Sequence, residues 1–189
     1  VKSTDAPHAL ESALAARAET DYQQRRMQLT ARLDRRLYAA NDPARAIGSA
    51  ARSMRARCKA ARNAVSEALE SQRGTVATAT ELGTLFDRLV SRESASCINA
   101  VAAVAGRWDD PTATMSTAEA AIVHAHERGR TDALKHLAAA ADESRQRLRP
   151  LPARLVRNGF NALIGGGLLW RGGLWVSENW PHIAAHFHH

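Results

Sequence analysis

The chain has 189 residues, of which 45% are apolar, 24% charged and 5% aromatic, and 39 of them are alanine. Without alanine the apolar side chains come to roughly a quarter of the sequence, a thin supply for a core, so closely approaching helices are expected. Eleven glycines, six prolines and two cysteines exclude a collagen-like chain, a disulfide-dense scaffold and a four-cysteine zinc site.

Basic residues outnumber acidic ones by 26 to 19, for a net charge of +7. Only Lys2, Lys59 and Lys135 are lysines, which leaves 23 arginines. A GC-rich coding sequence would favour arginine and alanine together. Selection for the planar guanidinium, which grips phosphate and carboxylate, would leave the same excess. Either way the charge favours anionic partners: nucleic acid, an acidic membrane surface or an acidic subunit. The chain starts at Val1, and its first 40 residues hold no apolar run, so no uncleaved signal peptide is expected.

Asp5 and Pro7 open a first helix whose positions Ala15, Ala18, Tyr22, Leu29, Leu33 and Leu37 share an arc of about 100°. Asn41-Asp42-Pro43 ends it, and Asp42-Pro43 supplies an N-cap and first residue for a second helix. That helix runs to about Arg73, with Gly74 as its stop. A threonine-rich connection, Thr75 to Thr80, leads to a third helix that Glu81 opens and Gly106 closes. Asp109-Asp110-Pro111 starts a fourth, which a capping box of Ser116 and Glu119 would delay. It continues to Arg149 before Pro150, with Gly129 as a weak point costing about 1 kcal/mol relative to alanine. The expected fold is all-α: an elongated bundle, or hairpins, of about four long alanine-rich amphipathic helices joined by short connections.

Residues 151–189 differ in kind. Only Arg154, Arg157, Arg171 and Glu178 are charged there, and the segment holds six of the eleven glycines and three of the four tryptophans. The break at Arg149-Pro150-Leu151-Pro152 therefore divides a helical body, 1–150, from a hydrophobic Gly/Trp-rich tail, 151–189.

On the second helix Arg45, Arg52, Arg55, Lys59 and Arg62 fall within about 100° of one another, beside an apolar arc of Ile47, Met54, Cys58, Ala61, Val65 and Ala68. Such a ladder suits the phosphates of nucleic acid or lipid head groups. A solvated face paired to neighbouring carboxylates is the plainer alternative. Aromatic interleaving, which would favour single strands, is missing from the stripe.

Cys58 and Cys97 lie on or near the apolar faces of helices two and three, equidistant from the connection between them. An antiparallel hairpin would bring them to one height, between small neighbours Ala61, Ala95 and Ala100. They are a candidate disulfide if their Cα atoms come within roughly 4.4–6.8 Å, and otherwise two packed thiols. Of the eight histidines, His126 shares an apolar stripe with Met115, Ile122 and Leu137 and reads as a buried, hydrogen-bonded imidazole. His182 and His186 have the i,i+4 spacing of a metal-binding pair, but no carboxylate constellation completes a centre, and no metal or cofactor is expected.

Phe160 to Ser177 carries one charge, Arg171, in a stretch just short of the usual membrane span of about 20 residues. Gly159, Gly166 and Gly173 recur every seventh position, and Ala162 with Gly166 adds a small-residue seam for close helix approach. Leu163, Ile164, Leu168, Leu169 and Leu174 supply apolar surface, and Trp170, Trp175 and Trp180 suit a membrane–water boundary. A central arginine costs about 2.5–3.5 kcal/mol on insertion scales, so the segment could instead lie in the interface, bury against other subunits or cap the body.

No nucleophile–base pair, dinucleotide fingerprint or P-loop can be assembled; Gly165-Gly166-Gly167 has no Lys-Ser/Thr after it. The sequence therefore points to a noncatalytic structural or assembly subunit, membrane-associated or part of a homo- or hetero-oligomeric complex, docked through the tail. The alternatives are a nucleic-acid-binding helical protein using the basic stripe and a secreted or ejected membrane-inserting factor.

Overall fold

The computed structural model describes residues 5–72 and 76–148. The chain divides into two units, Val1–Leu148 and Arg149–His189, and the described residues all belong to the first. Among them the structure is all-helical: α1 Asp5–Tyr38, α2 Pro43–Ser71, α3 Ala79–Val90, α4 Glu93–Ala105 and α5 Pro111–Leu148.

Local chemistry accounts for most of the ends. Asp42 is the N-cap of α2, accepting from the Arg45 amide at 2.7 Å, and Pro43 takes the first turn, where its missing N–H costs nothing. Thr78 and Glu81 form a reciprocal capping box on α3. The two hydrogen bonds from Thr78 hold the Glu81 carboxyl below the usual range. At α5, Asp110 rather than Ser116 is the starting residue: its carboxylate accepts from the Ala113 amide at 2.9 Å, and the helix runs on from Pro111. A cap immediately before a proline leaves Ser116 and Glu119 as ordinary helical positions.

The third expected helix is two. It breaks at Ser91 and Arg92, with neither a glycine nor a proline, and α4 restarts at Glu93 without a side-chain cap. At that restart Glu93 turns into the protein interior.

The helices pack around α2. It lies against α1 and α5 along most of its length and also meets α3 and α4, whereas α1 and α5 do not pack substantially on one another. Neighbours along the grooves set the directions: Leu33 with Ser49 and Leu29 with Ala60 make α1 antiparallel to α2. Ile47 with Thr114 and Cys58 with Gly129 make α5 parallel to it. The α3/α4 arm occupies one side of this layer, and α2 keeps a strip of surface between α1 and α5 on the other.

The core has large side chains at only a few places, among them Tyr22, Leu33, Leu37, Met54, Leu82, Phe86, Ile122 and Leu137. The leucine, isoleucine, phenylalanine and methionine side chains among them each contribute about 1.5–3 kcal/mol by leaving water. Ala46, Ala50, Ala60, Ala61, Ala64 and Ala68 are buried along α2, and these small residues let the four other helices close on it. On α1, Leu14, Ala18, Tyr22, Leu33 and Leu37 are buried, with Ala15 and Leu29 at the margin. Between α3 and α5, Arg130 donates twice to Asp87 at 2.7 Å in a fork arrangement; the pair is exposed and worth at most about 1 kcal/mol.

Candidate functional site

Two features of α2 stand out chemically, one facing inward and one outward. Inward, Arg57 occupies the apolar arc, three residues after Met54 and four before Ala61, and its side chain is 0% exposed. A guanidinium never loses its charge, so burial there demands a counter-charge. Glu93, 3% exposed, supplies it by pairing with Arg57 Nη1. Thr30 Oγ1 accepts from Arg57 Nη2 at 3.0 Å, and Ser53 and Ser96 accept at 3.4 Å. The other Glu93 oxygen accepts from Arg26 Nε on α1 at 2.5 Å. One carboxylate thus ties α4 to α1 and α2.

Tyr22 is buried beside this cluster, and its hydroxyl has no hydrogen-bond partner among the described residues. Burial first, and the negative charge of Glu93 second, push its phenol well above the usual range, so it stays protonated. Arg57 and Glu93 are enclosed and paired with one another, and Arg26 reaches Glu93 from the solvent side, the arrangement of a structural clamp.

Outward, the five predicted cations separate into distinct settings. Arg52 lines a narrow groove of about 80 Å³ with Arg32 and Arg36 of α1. Lys59 lines a second groove against α1, about 240 Å³, with Arg25 and Arg32. Arg55, Lys59 and Arg62 form one wall of a third, about 360 Å³, whose α5 wall carries Arg128 and Asp132. Arg45 stands exposed near the start of α2, outside all three. Arg25 is paired with Glu67, Arg62 donates to Asn63 and Arg52 to Ser49. Arg32, Arg36, Arg55, Lys59 and Arg128 make no ion pair among the described residues. Sequence reasoning found the α2 stripe but not its extensions. Residues 25, 32 and 36 are spaced seven and four apart, which already places them on one face of α1.

Cys58 and Cys97 are both buried free thiols, so the candidate staple is not formed here. Burial, then the neighbouring Cys97 and Glu93, push the Cys58 thiol up to about 12, and burial also raises Cys97. The neutral thiol is the form the fold favours. That contribution to stability is complete below the unfolded value near 9 and is lost as pH rises from there through about 12. At pH 8 a thiol reagent should label neither cysteine of the native protein at more than a small fraction of the rate seen in denaturant. Full labelling at the unfolded rate would show that these sites open readily.

His126 departs from expectation. It is half-buried, and its Nε2 is enclosed with no hydrogen-bond partner among the described residues. Its stripe neighbours Ile122 and Leu137 are buried and offer no acceptor. Among the described residues no three histidine, cysteine or carboxylate side chains are grouped to hold a metal, and no helix is long and apolar enough to cross a membrane. The tail positions Leu163, Ile164, Gly166, Leu168, Leu169, Trp170, Gly173, Leu174, Trp175 and Trp180, and the His182/His186 pair, lie outside the described residues.

Comparison of the chain with protein-family models, curated proteins and solved structures returned no match.

Proposed function

We propose that the chain is a noncatalytic helical scaffold whose carboxyl-terminal segment docks it to a membrane or to a multisubunit assembly. The observation that carries this reading is the contrast between its two units. Residues 1–148 bury their own core and pair their own interior charges. Residues 149–189 concentrate leucine, tryptophan and glycine with little charge, a composition suited to burial against something else. The helical body supplies length and rigidity: α5, at 38 residues and about 1.5 Å per residue, extends roughly 57 Å.

Deleting residues 160–189 tests it. The truncated chain should keep its helical circular dichroism and lose nearly all association with the membrane or high-mass fraction of fractionated cells. Association retained after the deletion overturns the docking role. Release of dye from anionic vesicles by the intact chain would instead favour a membrane-inserting factor.

A further inference from the structure

We infer that the outward strip of α2, together with the flanking faces of α1 and α5, is a binding surface for the phosphate backbone of double-stranded nucleic acid. This goes beyond the docking role of the tail and rests on residues of the other unit. Three helices converge on the surface: Arg32 and Arg36 from α1, Arg52, Arg55, Lys59 and Arg62 from α2, and Arg128 from α5. Asp132 is the one carboxylate among the residues lining the three grooves. From Arg52 to Arg62 the ladder rises about 15 Å along the axis, and a duplex presents one phosphate charge per roughly 1.7 Å of its own axis. Several of these cations can therefore meet phosphates at once.

The cations belong to grooves rather than to an isolated helix face. Arg32 lines both α1 grooves, and Lys59 lines grooves on both sides of α2, so the positive surface is continuous across the helices. None of the seven is in an ion pair among the described residues, and only Arg52 and Arg62 donate to a side chain, the neutral Ser49 and Asn63, so recruiting them to phosphate breaks no ion pair there.

The apolar side chains decide between a nucleic acid and an anionic membrane. A membrane-lying surface inserts large apolar groups beside its cations. Among the described residues the exposed large apolar ones are Met27, Tyr38, Val76 and Val123. Met27 lies roughly 200° around α1 from Arg25, Tyr38 roughly 200° from Arg36, and Val123 roughly 140° around α5 from Arg128. Val76 is in the α2–α3 connection. None of the four shares the cationic face. No aromatic side chain among the described residues lines the three grooves as a platform on which single strands stack, which favours the duplex backbone, read through charge and without base contacts.

The test uses the full chain and a fluorescent duplex of about 30 base pairs, with anisotropy followed from about 50 to about 200 mM salt. The duplex should bind at low salt, and with six phosphate contacts its affinity should fall on the order of 10³-fold across that range. Arg55→Glu with Lys59→Glu should weaken low-salt binding at least about tenfold. Arg88→Glu with Arg92→Glu, an equal charge change on the α3/α4 arm, should leave it within about threefold. Arg55→Gln with Lys59→Gln should reduce the salt slope by about 2. Failure of the duplex to bind at low salt, or equal losses in the two reversal variants, overturns the assignment. So does binding confined to phosphatidylserine vesicles and abolished by the α2 reversal, which would make the partner a membrane surface.

Discussion

Replacing Glu93 by alanine should destabilise the protein by about 3–5 kcal/mol, measured as the urea unfolding free energy of the full chain. The loss of a few contacts would not cost so much. The magnitude comes from Arg57, which is fully enclosed and would be left with a charge facing only the hydroxyls of Thr30, Ser53 and Ser96. Neutral hydroxyls do not compensate a buried guanidinium. Arg26, with its side chain 36% exposed, can turn back to water when Glu93 is gone; Arg57 cannot. The double variant Arg57→Met with Glu93→Leu removes both charges and keeps the volume close, so it should recover most of the loss and fall near the parent. A Glu93→Ala cost below about 1 kcal/mol, or a double variant as unstable as the single, would refute the clamp. Were the cost confirmed, the break between α3 and α4 would have its explanation. The carboxylate that pairs with Arg57 is the first residue of the restarted helix, α4.

The second large effect reverses a sequence expectation. Gly129 lies inside α5, where alanine would ordinarily stabilise by about 1 kcal/mol. In the packed protein a β-carbon at that position would stand 2.8 Å from Cys58 Cβ and 2.9 Å from its sulfur. Carbons of residues on two packed helices essentially never sit that close, and the obstacle is the first side-chain atom of a buried residue, which cannot rotate away. Gly129→Ala should therefore destabilise by about 1–3 kcal/mol, the usual cost of overpacking, with the lower urea midpoint as the readout. Cys58→Ala should rescue it only in part, because the sulfur leaves and the closer β-carbon stays. Cys58→Gly in the same background should relieve the clash, less the helix penalty of the new glycine. A Gly129→Ala protein as stable as the parent would show that α2 and α5 can separate at no cost. Gly83 makes the milder contact: a β-carbon there would meet the end of Leu134, a flexible side chain, at 3.1 Å.

These two positions mark where local reading stops. Sequence reasoning passed over Arg57, which stands at the edge of the apolar arc of α2, three residues from Met54 and four from Ala61. Its partner is 36 residues away on another helix, and no local pattern links the two. The α3/α4 break at Ser91 and Arg92 has no glycine or proline to announce it, and the restart brings Glu93 to its tertiary partner. The same limit explains the cationic face. Periodicity along α2 places Arg52, Arg55, Lys59 and Arg62 together, but only packing decides that Arg32, Arg36 and Arg128 come to stand opposite them.

By itself the sequence determined the all-helical class, most helix ends and the inward-facing arcs of α1 and α2. These follow from caps, prolines and a 3.6-residue period, interactions that span a few residues and act alike wherever the helix is placed. The tertiary structure decided which inward-facing residues meet. It made Gly129 a point of closest approach rather than a weakness, left Cys58 and Cys97 as separate buried thiols, and turned Arg57 from a stray charge into the centre of an ion cluster. Alanine is the reason the two levels differ so much in this chain. Its short side chain lets helices come close without recording in the sequence which partner they approach, so the choice falls to the few large and charged residues that must fit together across the interfaces.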